Sequence, residues 1–326
     1  MTAFLLRRSL QALLVLLVMS ALVYGLIGLM PGDPIDLMLT ADPNVSSTDV
    51  ARLKALYGLD RPLTERWLRW LARALAGDLG FSRSYAAPVL EVLGPALKNT
   101  LVLLIVAYTA TFGLALPLSL WIAMKPGSWR DRIVNLGAFA GISIPVFWLA
   151  LLLVILFSVS LGLLPASGTG ARGPDWMDRD WRYLALPVTT LVLANVGAHI
   201  RYLRGALLDV LGQDHIRTAR AKGAGRLQVM VGHALRNAMV PVITILALDL
   251  GSLFSGALVT ETVFAWPGMG KLIYDAIMGS DFNLALAGLV LATAVTLLGN
   301  LLADLGYVWL DPRIGLAART QPRGGR

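Results

Sequence analysis

The sequence contains no cysteine, which excludes a disulfide framework, a thiol nucleophile and Cys-ligated zinc or iron–sulfur sites. Histidine is nearly as scarce. The three present, His199, His215 and His233, lie 16 and 18 residues apart, so no H-E-x-x-H pair or similar metal-binding spacing exists. Charge is sparse too: 15% of the 326 residues are Asp, Glu, Lys or Arg, against roughly 25% in an average soluble domain. That argues against a soluble fold, and disorder fails because it needs high charge density and few apolar residues.

What is abundant is apolar sequence, 56% of the chain, gathered into runs. Uncharged stretches occupy 9–32, 99–124, 133–171, 183–200 and 282–303, and 237–260 is broken only by Asp249. A helix needs about 20 residues to cross a hydrocarbon core of about 30 Å. The fourth run is the shortest and gains length if Arg201 snorkels. The pattern predicts an all-α integral membrane protein with six transmembrane helices at 9–30, 99–124, 133–164, 184–206, 239–260 and 284–310. The first run follows Arg7-Arg8 but is too long for a signal peptide, and MPGDPID follows it where a small-x-small cleavage site would stand. It reads as a retained helix.

A net charge of +8 raises the question of nucleic acid, yet the basic residues follow a membrane pattern. With the amino terminus inside, the cytoplasmic segments 1–8, 125–132, 201–236 and 311–326 hold 16 Lys or Arg and four acids. The outer segments 31–98, 165–183 and 261–283 hold 12 and 14. The inside is therefore strongly positive, which places both termini in the cytoplasm. Taken as segments, the chain reads as an N-terminus 1–8, an extracytoplasmic helical segment 31–98, a cytoplasmic loop 125–132, an outer loop 165–183, a cytoplasmic loop 207–238, an outer loop 261–283 and a tail 311–326. Within the first outer segment, 48–57 reads as a short helix ended by Gly58. After Pro62, LTERWLRWLARALAG sets Arg66, Arg69 and Arg73 opposite Trp67, Trp70, Leu71 and Ala74. Such a helix either lies on the membrane surface or caps the bundle with its Trp face on protein.

The loop at 207–241, LLDVLGQDHIRTARAKGAGRLQVMVGHALRNAMVP, is the most informative stretch. It reads as helix from Asp209 to Lys222, a Gly223-Ala224-Gly225 break, and helix from Arg226 to Asn237 before Pro241. Ala219 and Ala221 leave room for another protein's surface, and Arg217, Arg220 and Lys222 supply charge. It has the character of a docking element.

This segment is similar to the EAA loop of ABC importer permeases, in the dipeptide/oligopeptide/nickel branch, on QDHIRTARAKG at 213–223 and HALRNAMVP at 233–241. MPGDPI at 30–35, ETVFAWPGMGKL at 261–272 and LDPRIG at 310–315 resemble the same branch in the same order, with shorter echoes in LDRPL at 59–63, GDLGFS at 77–82 and LGLLPASG at 161–168. Against the general EAA pattern, Gly223 and Ala219 match. Arg217 and Thr218 replace the Glu and first Ala, and His233 and Arg236 stand where Ile and Pro would fall.

The resemblance implies a type I ABC importer permease fold and the first permease of a pair. It implies as partners a second homologous permease, two cytosolic ATPase domains that bind ATP and Mg, an extracytoplasmic solute-binding protein and membrane lipid, with no nucleic acid and no cofactor in this chain. The location implied is the bacterial or archaeal inner membrane. The helix at about 209–222 would seat in a cleft of the ATPase, which makes Gln213, Asp214, His215, Arg217, Thr218, Ala219, Arg220, Ala221, Lys222 and Gly223 the coupling candidates. The cargo implied is a dipeptide or oligopeptide, with nickel-chelate and glutathione systems sharing the pattern.

The chain carries no G-x-x-x-x-G-K-[ST]. WPGMGKL at 266–272 has the wrong glycine spacing, has Leu after Lys271 and falls on the outer side, so it reads as a structural turn leading to an outer helix. In the fifth span Asp249, Ser252, Gly256 and Thr260 share one face. That stripe lines a path or forms a packing seam, two readings that periodicity leaves open. Asn195 in the fourth span is a further path candidate, with an interhelical hydrogen bond as its other reading, and Asn300 and Asp304 share a face of the sixth. Pro117, Pro145 and Pro187 predict kinks. An autonomous secondary transporter would need ion-coupling residues and shows no internal repeat, and an intramembrane enzyme would need a catalytic constellation that the sequence lacks.

Overall fold

In a computed structural model the described residues are 2–29, 61–170, 180–239, 242 and 257–310. Helix α1 (Thr2–Gly28) is followed by α2 (Leu63–Leu75), a two-stranded hairpin of β1 (Phe81–Ser82) and β2 (Ala87–Pro88), and α3 (Val89–Ala123). Next come α4 (Trp129–Ser143), α5 (Val146–Leu153) with a π-helical extension over Val154–Ser160, and α6 (Arg182–Leu211). Helix α7 (Asp214–Ala221), the turn α8 (Arg226–Gln228) with a π-helical stretch Val229–Leu235, α9 (Met269–Met278) and α10 (Phe282–Leu310) complete the order. Residues 257–263 are also helical.

Among the described residues, Leu6–Gly28, Val89–Ala123, Arg182–Leu211 and Phe282–Leu302 are each long and apolar enough to cross a membrane. The uncharged run from 133 onward is not one straight helix. It holds α4 and the 146–160 helix, which meet at 102° across Ile144-Pro145, because a proline at 145 cannot donate its backbone hydrogen bond and Ile144 takes an extended backbone (φ −88°, ψ 125°). Most of the run 237–260 lies outside the described residues.

The 35 residues of α3 span about 52 Å, and α3 packs most extensively against α6. Its two ends carry separate cores. Val89, Leu93 and Ala96 pack with Met269, Ile273 and Ala276 of α9 and Leu284 and Ala285 of α10. At the other end Ala123 joins Leu207 and Val210 of α6. Between α4 and α6 the backbones touch: a Cβ at Gly197 would lie 2.9 Å from Ala138 Cα, and one at Gly141 would lie 2.9 Å from Leu193 O. Small residues allow this approach, which in lipid replaces hydrophobic burial as the source of helix attraction.

Large apolar side chains such as Leu13, Leu14, Leu136 and Ile155 are more than half exposed. In water such faces would be aggregation sites, whereas lipid accepts them. The Trp face of α2 rests on protein: Trp67 Nε1 donates to Ser20 Oγ of α1 at 3.3 Å, and the Trp70 and Tyr24 rings lie 6.3 Å apart.

Candidate functional site

Helix α6 ends at Leu211 with Gly212 as its cap. The chain turns at Gln213, whose extended backbone (φ −79°, ψ 155°) opens α7. Asp214 in the first turn and Arg220 in the last complement the helix dipole. The end of α7 is a Schellman motif: Ala224 N donates to Ala219 O at 3.1 Å and Gly223 N to Arg220 O at 3.0 Å. The motif puts Gly223 at φ +86°, where a side chain is strained. The helix predicted from Asp209 is thus divided, its first turn belonging to α6.

One residue fastens α7 to the bundle. Ile216 is fully buried among Leu207, Val210, Val229, Met230 and Ala234, and Ala219 packs inward on the same cluster, not outward toward a partner. Asn237 Nδ2 lies 3.2 Å from His215 Nε2 and donates to His233 O at 3.0 Å, which ties α7 to the following helical stretch. The Arg226 guanidinium donates to Met124 O at the end of α3. Gln213, Asp214, His215, Arg217, Thr218, Arg220, Ala221, Lys222 and Gly223 are exposed. The pair between Arg217 and Asp214 at 3.3 Å joins side chains 75% and 94% exposed, so it contributes little and holds neither group back from a partner.

A second anchor lies beside this end. Asp131, in the first turn of α4, accepts from Arg204 Nε at 2.6 Å and Nη2 at 2.7 Å, from Gly127 N at 2.8 Å and from Asn135 Nδ2 at 2.8 Å. Hydrogen bonding from Arg204 holds its carboxyl below its ordinary value against the opposing cost of burial. A depressed folded-state value means the contribution is complete above the unfolded-state value and lost as pH falls through the folded one. Asp131→Asn is expected to cost about 2–3 kcal/mol near neutral pH. In detergent melts its deficit against the parent shrinks as pH drops below the ordinary carboxylate range; a deficit unchanged with pH would show that the charge contributes nothing.

At the opposite end Glu261 is fully buried. Its Oε1 accepts from Thr100 Oγ1 at 2.5 Å, and its Oε2 accepts from Gly270 N at 2.7 Å and Lys271 N at 3.2 Å, at the start of α9. Trp266 Nε1 donates to Asn99 O at 3.1 Å and Asn99 Nδ2 to Pro267 O at 2.8 Å. Trp266-Pro267-Gly268 is a turn clasped by α3, and a Cβ at Gly268 or Gly270 would collide with the Glu261 carboxylate. The glycines are there for closeness, not for a left-handed backbone.

Of the stripe on the fifth span, Thr260 is fully buried, whereas Asp249, Ser252 and Gly256 lie outside the described residues. Asn195 donates to Leu191 O of its own helix at 2.7 Å, and its carbonyl lies 2.9 Å from His199 Nδ1. Asn300 lies on α10, with the Asp304 side chain outside the described set. Ile216, Glu261 and the Asp131–Arg204 pair are the structural residues that sequence reasoning passed over. An isolated isoleucine between charged residues was the signal for the first. The Thr100–Glu261 and Asp131–Arg204 contacts join residues far apart in sequence and carried none.

Residues 115–316 match the family of binding-protein-dependent transport system inner membrane components, and residues 1–115 match the N-terminal part of such membrane components. The chain belongs to this family. The permease is 37% identical over 317 residues to an oligopeptide transport system permease protein of Bacillus subtilis, with 96% of this chain and 99% of the relative covered. It is 34% identical over 336 residues to a dipeptide transport system permease protein of Escherichia coli K12, with the same coverage. A glutathione transport system permease protein of Salmonella paratyphi A is 35% identical over 316 residues, again covering 96% and 99%. The permease is a multi-pass inner-membrane transport subunit and not an enzyme, ATP hydrolysis being the work of partner ATPases. As a component of a binding-protein-dependent system it operates with other subunits.

Proposed function

We propose that this permease forms half of the translocation path of an ATP-driven peptide importer and receives the power stroke through α7. The second half is a homologous permease, two cytosolic ATPase domains hold ATP and Mg, and an extracytoplasmic binding protein delivers cargo. The observation that carries this reading is the division of α7 and its cap into a buried anchor, Ile216, and exposed basic groups, Arg217, Arg220 and the cap residue Lys222. A surface that only needed solvation would require no such anchor. Motion of α7 reaches α6 through Leu207 and Val210 and, by way of the following helical stretch to which it is tied, α3 through the Arg226–Met124 bond, while the Asp131–Arg204 pair keeps α4 moving with α6.

Peptide cargo follows from the relatives: the oligopeptide, dipeptide and glutathione carriers share amide-linked amino acids as substrate chemistry. Asp249, Ser252, Gly256, Thr260 and Asn195 remain the candidate path residues. The test is charge reversal in the reconstituted transporter. Arg217→Glu with Arg220→Glu should lower labelled-dipeptide uptake and cargo-stimulated ATP hydrolysis by about tenfold or more, since against the acidic ATPase surface that this reading requires, like charges brought together cost several kcal/mol. Cargo affinity of the binding protein stays unchanged. Normal coupling in the double variant would remove α7 as the contact.

A further inference from the structure

We infer that the corner between α3 and α4 is a binding site for an anionic phospholipid of the inner leaflet. The inference rests on the topology that puts residues 125–132 at the cytoplasmic membrane face.

The corner is built around Arg130. Its guanidinium carbon lies 5.1 Å from the centre of the Trp121 ring and 5.7 Å from that of Trp129, within cation–π range of both. An indole offers a guanidinium no lone-pair acceptor, its own nitrogen being a donor only, and among the described residues the structure gives the Arg130 donors no acceptor and Arg130 no ion pair. The nearest carboxylate in sequence, Asp131, is committed to Arg204. Lys125 and Arg132 are exposed beside it and equally without an acidic partner among the described residues. The corner therefore carries uncompensated positive charge in which Arg130 is held in place by two aromatic rings.

Directly below the charge is apolar surface. Trp129, Ile133 and Leu136 follow the spacing of one α4 face and are 66%, 58% and 71% exposed. A cation held at the end of an exposed apolar stripe complements an anionic headgroup on an acyl chain: phosphate oxygens accept from Arg130, and the chain lies along Ile133 and Leu136. Free phosphate would use the charge but leave the stripe bare, and a zwitterionic lipid would cover the stripe but bring its own cation to Arg130. Basic clusters on the inner side of membrane helices gain about 1 kcal/mol per residue from anionic lipid, and the indoles reinforce this by fixing the guanidinium beforehand.

The experiment uses the assembled transporter, purified with its partner subunits and analysed by native mass spectrometry after partial delipidation. Phosphatidylglycerol is expected to be retained by the parent and bound about fivefold more weakly by Arg130→Gln, the change expected for about 1 kcal/mol. Arg130→Lys, which keeps charge but loses the planar face, should fall between them. Arg73→Gln, which removes an equal charge from α2, should behave as the parent. Equal retention in Arg130→Gln, equal retention of phosphatidylethanolamine, or displacement of the lipid by inorganic phosphate would each overturn the site. So would dissociation of the complex in Arg130→Gln with lipid count unchanged, because the stripe would then be a protein interface. Dipeptide uptake measured on the same preparations separates the two readings: loss of the lipid site leaves peptide import standing, and absence of peptide import leaves the lipid count standing.

Discussion

Ile216→Asp is expected to uncouple the permease from its energy source. The side chain has no exposure to solvent and sits among apolar groups of α6 and the 229–238 stretch. A carboxylate there is unpaired in an apolar environment, a penalty of about 3 kcal/mol or more, which α7 escapes by lifting off the bundle. The α6 and α3 contacts lie outside α7, so the membrane part should still assemble. Cargo-stimulated ATP hydrolysis and uptake should fall at least about tenfold with normal yield of complex, whereas Ile216→Val costs about 1 kcal/mol and keeps coupling. The absence of cysteine from the chain makes the displacement directly measurable: a single cysteine placed at Arg220 reports α7 position by cross-linking to an ATPase domain. Full coupling in Ile216→Asp would mean that the anchor transmits nothing.

The second large effect belongs to the α4–α6 crossing. Gly197→Ala puts a methyl carbon against the backbone of Ala138, and neither backbone has a rotamer by which to yield. The helices must separate, a loss of about 1–3 kcal/mol, seen as broadening or collapse of the monodisperse peak in detergent chromatography. Gly137→Ala is the matched control. A Cβ there meets nothing within 4 Å, so the exchange should be neutral or stabilising by about 0.5–1 kcal/mol through helix propensity. Equal behaviour of the two variants would show that the close approach has no bearing on stability.

These two variants also mark where the sequence was readable. The long apolar helices α1, α3, α6 and α10 stand out because lipid demands an uncharged stretch of fixed length, a rule written along the chain. Gly223 was readable for a similar reason, since a left-handed helix end is a local requirement. The angle between α4 and the 146–160 helix was not, because hydropathy records depth and not direction; Pro145 announced a bend without its size. The inward turn of Ala219 and the bond of Asn195 to its own helix depend on which neighbour comes close. Asp131 and Arg204 stand 73 residues apart, and nothing in either local segment names the other.

The Glu261 clasp bears on where an anion could be held. A helix start offers free N–H groups and partial positive charge, and so attracts anions. At α9 that capacity is already spent: the permease's own carboxylate takes the N–H groups of Gly270 and Lys271. A second carboxylate finds no free N–H at Gly270 or Lys271, because Glu261 already occupies both. If the proposed peptide cargo is sorted by its terminal carboxylate, groups other than the start of α9 do the sorting, and the turn at Trp266 is left to hold α3 and α9 together.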